Sequence, residues 1–399
     1  MIQNEVTEIK KIMTKNDCCI HGLAGCYVDA SKNKICKFNG KFLTLDEAVF
    51  YKYLEIAKKA LSGTIGNNII EYEFPLCEES AGGRQSDLMT LMDSYNDDTA
   101  LDAYYDHIID TYDYAGNYLI LIFHDNYDVV TKTKDKKSLD ESEEVYQYLL
   151  IAVCPVELDK PALYYNKSVQ TMESKEQDWI VGAPMTSLLF PVFSDRTTDI
   201  HSIIVNSKNV KESHPEFVEN GLGCHPVKPV SEMREEFYSI IRSNFDNEEL
   251  AEKAVVSAAK DISYIVKNNF EDVHRKYELK SNDIVNMLSG DNRFNDAVKD
   301  SIADAYDKLD GNLTADILVD NSLLKKNEDT IQILELEDRV VELNQKLNAK
   351  NSVDTNAIDI TVPDFISDDA CVKAIDGKKF VCVPVGDIDV YVNGINIKD

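Results

Sequence analysis

The chain has 399 residues, of which 44% are hydrophobic, and its 71 acidic and 42 basic residues give a formal net charge of −29 at pH 7. This length is typical of two or three domains, and the hydrophobic content is sufficient to build folded cores. The net charge excludes a general affinity for nucleic acids or anionic membranes, because both require positive surface, and it favours basic partners.

Signals for secretion and membrane insertion are missing from the sequence. No charged start with an apolar core of signal-peptide length follows Met1, and the longest strongly apolar run, residues 118–123, is far below the roughly 20 residues of a membrane span. The nine cysteines are an odd number without repeated spacing, which indicates reduced thiols rather than a disulfide framework. We therefore expect a cytoplasmic protein.

The N-terminal part of the chain predicts a helix, a strand pair and a second helix. The first helix runs to about residue 14, the strand pair covers residues 25–38 with a turn at 31–33, and the second helix covers residues 45–61. Thr44 and Glu47 have the spacing of a capping box, and Gly63 is a suitable stop. A strand is predicted at residues 69–74.

The next segment concentrates negative charge. Residues 63–130 contain fourteen acidic residues, one arginine and no lysine, a net charge of −13 against +3 for residues 1–62. Apolar residues and aspartates recur there on opposite faces with helical spacing, which predicts one amphipathic helix. The apolar stripe comprises Leu101, Tyr104, Tyr105, Ile108, Ile109 and Tyr112, and the acidic row comprises Asp98, Asp102, Asp106 and Asp110. The row either keeps the protein soluble or binds a basic partner.

Several strands follow the acidic segment. Residues 117–124 predict a strong strand, and residues 144–153 predict a strand that is buried on both faces. Further strands are predicted at residues 162–169, 179–183 and 200–205. Because helices and strands are mixed without strict alternation, residues 1–212 indicate an α+β core domain with a mixed sheet rather than a doubly wound fold.

A change of composition marks the middle of the chain. Two glycines and three prolines crowd residues 213–230, which predicts a linker or domain boundary. Residues 231–352 predict a helical section, with helices at 248–277, 281–288 and 293–309. The acidic composition of this section argues against a helix-turn-helix that reads DNA.

A short heptad run ends the helical section. Ile333, Leu336, Val340, Leu343 and Leu347 recur with the a/d spacing of a coiled coil, over barely two heptads. This seam either packs against the body of the chain or pairs two chains in a homodimer.

The last section, residues 353–399, predicts a small separate β module. Asp376-Gly377 and Asn393-Gly394 are each flanked by short apolar runs and are typical of two-residue hairpin turns.

Two polar clusters beside predicted strands are candidates for catalysis. They comprise His124, Asp125 and Asp128, and Asp195, Arg196 and Asp199. If the clusters converge, their carboxylates would hold a divalent metal and Arg196 would stabilise developing negative charge, as in a hydrolase or phosphotransferase. The alternative is that both are turns at strand ends, with aspartates bonding their own backbone.

The densest group of thiols and imidazoles is a weak candidate for a metal site. Cys18, Cys19, His21 and Cys26 lie close in sequence, but they lack the paired spacing of structural zinc sites. Cys26 also fits a strand residue that faces inward as a small hydrophobe. No motif in the chain requires a cofactor.

An ordered series of short strings spans nearly the whole chain. The strings include GCYV at 25–28, LSGTIG at 61–66, GNYLI at 116–120, CPV at 154–156, DWIV at 178–181, LFP at 189–191 and VNGIN at 392–396. Together they resemble an uncharacterised family of Firmicutes proteins, the domain of unknown function numbered four-three-one-seven. Ala24 departs from the family pattern, which has a second cysteine there, and residues 321–352 form a longer segment. The resemblance implies a cytoplasmic bacterial protein and brings no known activity, cofactor or catalytic residue.

The sequence favours a non-catalytic interaction or regulatory protein that binds a basic partner through the acidic row. Carboxylates at successive helical turns stand about 6 Å apart along the axis, so the row could also occupy a groove meant for phosphates, as in a nucleic-acid mimic or inhibitor. The alternative is the metal-dependent hydrolase or phosphotransferase described above.

Overall fold

The computed structural model describes residues 3–132, 138–194, 197–269, 279–288, 294–309, 313, 315–351, 371–382, 390–392 and 395–397. The fold class is α+β, as predicted. An N-terminal antiparallel sheet flanked by helices precedes a helical middle section and short C-terminal hairpins.

The elements agree in order with the sequence-based expectation. The helices are α1 (Gln3–Ile12), α2 (Glu47–Ala60), α3 (Arg84–Asp93), α4 (Asp98–Thr111), α5 (Val230–Arg242), α6 (Glu248–Asn269), α7 (Ser281–Leu288), α8 (Asp296–Tyr306), α9 (Ala315–Leu318), α10 (Asn321–Lys326) and α11 (Glu328–Asn351). The first strands are β1 (Ile20–Val28), β2 (Lys34–Lys41), β3 (Ile69–Glu73), β4 (Asn117–Lys132), β5 (Ser138–Leu158), β6 (Leu163–Asn166), β7 (Thr171–Ser174) and β8 (Trp179–Val181). The remaining strands are β9 (Thr186–Phe190), β10 (Val192–Ser194), β11 (Thr197–Asp199), β12 (Ser202–Ser207), β13 (Cys371–Ile375), β14 (Lys378–Cys382), β15 (Val390–Val392) and β16 (Ile395–Ile397).

The main sheet has eight strands in the order β2-β1-β4-β5-β9-β12-β3, with β8 beside the end of β5. Each of its pairings among the described residues is antiparallel, whereas the sequence analysis expected a mixed sheet. Parallel neighbours require a crossover connection for each pair. Here β4 and β5 instead form one long antiparallel pair at the centre of the sheet.

Both faces of this sheet are covered. Alternate residues of β4 such as Ile120 and Ile122 pack in one hydrophobic cluster with residues of α3 and α4. Their neighbours Leu121 and Phe123 pack in a second cluster with residues of α1 and α2. The sheet is therefore the middle layer of three. Residues 148–154 of β5 are buried on both faces, as its two-sided apolar pattern predicted, whereas Val145 is exposed.

The prediction of a capping box at Thr44 and Glu47, at the start of α2, is wrong. Asp46 is the N-cap residue and its side chain makes no capping hydrogen bond. The hydroxyl of Thr44 donates to the carbonyl of Lys41 at 2.8 Å. The chain enters α2 from a 3₁₀ turn, and that turn uses the hydroxyl that the capping box required.

Part of the segment 213–230, predicted as a linker or boundary, packs into the core beside α4. A single π-helical turn at Phe217–Gly221 places Phe217 and Val218 in the cluster that lies under α4. The imidazole Nε2 of His107 on α4 lies 2.6 Å from the carbonyl oxygen of Gly221. This segment therefore helps to fix α4 on the sheet.

The helical section has its own buried cluster, built from residues of α5 to α9 such as Phe237, Ile262 and Ile302. In the C-terminal part, β13 pairs with β14 and β15 pairs with β16, so the strand pairing of both predicted hairpins is confirmed. The predicted turn at Asn393-Gly394 lies outside the described residues. Asp376 and Gly377 have φ angles of 47° and 76°, as a type I′ turn requires. No helix within the described ranges has the length and apolarity needed to cross a bilayer.

Candidate functional site

Helix α4 buries its apolar stripe, as predicted. Leu101, Tyr104, Tyr105 and Ile108 are buried against the sheet, and Asp97 caps the helix by accepting from the amide of Thr99 at 2.9 Å. The acidic row of Asp98, Asp102, Asp106 and Asp110 lies on the outer side. We call this outer side the α4 acidic face.

Two lysines of the edge strand β2 lie against this face. The Nζ of Lys34 is 2.8 Å from Asp106 and 3.3 Å from Asp102, and the Nζ of Lys37 is 2.7 Å from the other carboxylate oxygen of Asp102. The hydrogen bond from Lys37 is the main cause that lowers the pKa of Asp102, and Lys34 acts in the same direction. The centre of the α4 acidic face is therefore partly neutralised within the chain.

The two ends of the α4 acidic face remain free of such pairing. Asp98 and Asp110 are exposed, and neither takes part in an ion pair with the described residues. Four carboxylates thus face two ammonium groups, so the surface keeps a negative charge that is greatest at its two ends.

A pair of imidazoles, the buried His124 and the half-buried His21, lies where β1 pairs with β4. The Nδ1 of His124 on β4 is 2.7 Å from the Nε2 of His21, which sits at a register shift of β1. Tyr95, from the loop between α3 and α4, stacks on His124 with ring centroids 4.1 Å apart. Gly22 permits this approach, since a Cβ there would lie 2.7 Å from the ring of Tyr95.

The imidazole of His124 is held in its neutral form. Burial lowers the pKa of His124 to about 4, repulsion from His21 acts in the same direction, and the backbone of Met92 opposes the shift. The Nε2 of His124 has no partner of ordinary hydrogen-bond geometry among the described residues. Protonation therefore puts a poorly compensated charge inside the protein.

Asp125 lies on the other face of β4, among the side chains under α1 and α2. Its Oδ2 accepts a hydrogen bond of 2.5 Å from the hydroxyl of Tyr148 on β5, and its Oδ1 is buried without a partner among the described residues. Burial raises the pKa of Asp125, and the hydrogen bond from Tyr148 opposes that shift. Tyr146 stacks on Tyr148, with centroids 4.9 Å apart, and donates to the carbonyl of Pro191.

Comparison with protein families identifies the family of this chain. The family model described as a domain of unknown function, DUF4317, matches residues 1–395. The chain belongs to the DUF4317 family. The resemblance noted in the sequence is thereby confirmed for nearly the whole chain, whereas no curated protein matches it.

The convergence that a metal-dependent hydrolase or phosphotransferase would need is not seen for His124 and Asp125, because they occupy adjacent positions of one strand and face opposite ways. Asp195 and Arg196 lie outside the described residues, as does the side chain of Asp128. Asp199 accepts from the backbone amide of His201 at 2.9 Å, as the alternative of a strand-end turn predicts. Within the described ranges, no three His, Cys, Asp or Glu side chains are grouped to hold a metal.

The structure does not bring the weak thiol candidates Cys18 and Cys26 together, because they pack in the clusters on opposite faces of the sheet. Cys26 is buried in the cluster under α4, Cys18 is half-buried and Cys19 is exposed. Burial raises the pKa of both Cys18 and Cys26 to about 11, so both are thiols at neutral pH. The interpretation of Cys26 as an inward-facing small hydrophobe is confirmed.

The residues that complete these sites in the DUF4317 fold were not predicted from the sequence. Tyr95, Tyr148, Lys34 and Lys37 come from separate elements and meet His124, Asp125 and α4 only in three dimensions. One signal was present for the lysines, because residues 1–62 carry a net charge of +3 immediately before the acidic segment. Tyr95 and Tyr148 carry no local pattern that would single them out.

Proposed function

We propose that this DUF4317 protein is a non-catalytic interaction protein of the cytoplasm that binds a basic partner through the α4 acidic face. One observation carries the proposal. Helix α4 buries its entire apolar stripe in the core, and its row of carboxylates faces outward. Like charges at this spacing destabilise an isolated helix, and a cation from a partner would relieve that repulsion.

The contacts of the face support a graded role for its carboxylates. Lys34 and Lys37 hold Asp102 and Asp106 in place, whereas Asp98 and Asp110 meet the partner's cations directly. Because exposed charges attract over about a Debye length, such a contact forms quickly and weakens as salt rises. A partner that normally binds phosphates would accept the same row, which is how the protein would act as a nucleic-acid mimic.

Changing Asp98, Asp102, Asp106 and Asp110 together to asparagine should weaken partner binding by about tenfold or more. The substitution keeps the size of each side chain, removes its charge and replaces one accepting oxygen with a donating amide NH2. Partners are first captured from a native lysate at low and high salt. The affinity of the purified partner is then measured by titration calorimetry for each variant.

Helix α8 offers a matched control. Asp296, Asp300, Asp304 and Asp307 are also exposed, the first three with the same spacing, so four asparagines there remove the same total charge. The control variant should bind like the unmodified protein. If both fourfold variants lose affinity equally, the effect is one of net charge and the α4 acidic face is not the binding site.

Replacing Lys34 and Lys37 with methionine should act in the opposite direction. The change uncovers Asp102 and Asp106, so a basic partner should bind about threefold more tightly at low salt. Thermal unfolding should change little, because exposed ion pairs contribute about 0–1 kcal/mol each. Weaker binding by this variant would mean that the partner contacts Lys34 and Lys37 themselves. The partner surface at that contact would then not be basic.

A further inference from the structure

Helix α11 contacts the rest of the chain mainly through its N-terminal half. Leu334 is buried, and ion pairs from Lys260 to Glu335 and from Lys253 to Glu337 connect this part to α6. From residue 335 through residue 346, every residue is exposed. Isolated helices of this length are marginal in water, so these three turns need a partner to be stable.

The exposed turns carry an apolar seam. Ile333, Leu336, Val340 and Leu343 are 47%, 63%, 55% and 55% exposed, in the a/d order that the sequence analysis singled out. Of its two alternatives, packing against the body of the chain applies in part to Ile333, which lies beside Val256 of α6, and within the described residues it does not occur for Leu336, Val340 and Leu343. The side chain of Leu347 lies outside the described residues. A row of large apolar side chains open to water marks an interaction surface.

We infer that this seam pairs with the same seam of a second copy, as a short parallel two-stranded coiled coil. The residue types at the a and d positions favour a second copy of the chain as the partner. The a positions hold the β-branched Ile333 and Val340, and the d positions hold Leu336 and Leu343. β-Branched residues at a with leucine at d favour the parallel dimer over higher oligomers.

The charges that flank the seam set the direction of the pairing. In the parallel arrangement each g residue faces the e residue of the next heptad, which places Arg339 opposite the partner subunit's Asn344 and Gln332 opposite the partner subunit's Glu337. In the antiparallel arrangement g residues face each other, and Arg339 would meet the partner subunit's Lys346. Only the parallel arrangement avoids this repulsion between like charges.

The inference is tested on the full chain by sedimentation equilibrium over a rising series of concentrations. Two heptads bury little surface, so the dimer is weak and forms at high concentration. Val340→Asp combined with Leu343→Asp should remain monomeric throughout and lose helical circular dichroism, because α11 frays without its partner. Unmodified protein that stays monomeric at every concentration would overturn the inference.

The same helix provides the control for that variant. Val341 and Gln345 are exposed beside the seam, at positions b and f. Asp at both sites adds the same charge to the same turns, so this variant should dimerise like the unmodified protein. If it also becomes monomeric, added charge alone separates the chains and the seam is not the contact.

The direction is tested by a single position. Asn344→Glu should tighten a parallel dimer roughly threefold, since each new carboxylate faces Arg339 of the other copy, and Asn344→Arg should weaken it by a similar factor. In an antiparallel dimer the new carboxylate would face Glu337, so Asn344→Glu would weaken the dimer and Asn344→Arg would tighten it. That result would overturn the parallel assignment. Because α11 and the α4 acidic face are separate surfaces, the dimer and the basic partner succeed or fail independently.

Discussion

Replacing Tyr148 with phenylalanine should destabilise the fold by about 2–3 kcal/mol at neutral pH. The carboxyl group of Asp125 is only 1% exposed, and the hydroxyl of Tyr148 donates to its Oδ2. Its Oδ1 already has no partner among the described residues. Without the phenol, the pKa of Asp125 rises further and the buried group loses its main stabilising contact. Urea unfolding followed by circular dichroism gives the difference in the free energy of unfolding.

Tyr146 is the matched control for this experiment. It stacks on Tyr148 and its hydroxyl donates to a neutral carbonyl, that of Pro191. Tyr146→Phe should therefore cost only about 1 kcal/mol. Equal losses for the two variants would show that Asp125 does not depend on Tyr148.

A double variant separates the charge from the packing. Asp125→Asn removes the ionisable group, so adding Tyr148→Phe to it should cost less than Tyr148→Phe costs alone. The difference between the two costs is the coupling energy of the pair. Strictly additive losses would contradict the hydrogen bond between Tyr148 and the Asp125 carboxyl group as the cause of the larger cost.

Lowering the pH from about 7 to about 4 should destabilise the protein through His124 by about 3 kcal/mol. The pKa of this imidazole is about 4 in the folded protein and about 6.5 in an unfolded chain. Between these values the unfolded state binds more protons, so stability falls as the pH falls. The contribution of His124 is complete above the unfolded pKa and is lost as the pH approaches the folded pKa.

The free energy of unfolding is measured against pH for the unmodified protein and for His124→Asn. The variant should lose the part of the slope between pH 6.5 and pH 4 that comes from His124. His107 and His214, whose pKa values burial also lowers, keep contributing in the same direction in both proteins. Asp125 acts in the opposite direction, because its raised pKa makes its protonation favour the folded state, so only the difference between the two curves isolates His124. His225→Asn, at an exposed position, should keep the full slope. A variant curve parallel to that of the unmodified protein would disprove the role assigned to His124.

The candidate surfaces differ in how far local sequence predicted them. The amphipathic character of α4 follows from spacing within fourteen residues, so periodicity alone was sufficient. The same holds for the hairpin at Asp376-Gly377, because a type I′ turn depends on the two residues that form it. Both predictions concern interactions between residues close in the chain.

The catalytic hypothesis depended on where one strand ends. We expected the strand to stop near residue 124, which would place His124 and Asp125 together in a loop. In the structure β4 continues to Lys132, because β5 pairs with it along its length. Strand geometry then separates the two side chains to opposite faces, and that pairing involves a partner strand that no local pattern near His124 specifies.

By itself, the sequence determined the α+β class, the acidic helix, the heptad pattern and the two C-terminal hairpin pairings, because each depends on residue types at short, regular spacing. Only the tertiary structure decided that Lys34 and Lys37 neutralise the centre of the α4 acidic face, that Tyr148 holds Asp125, and that His21 meets His124. These contacts join residues from different elements, and which elements become neighbours depends on how the sheet pairs and how its two faces are covered.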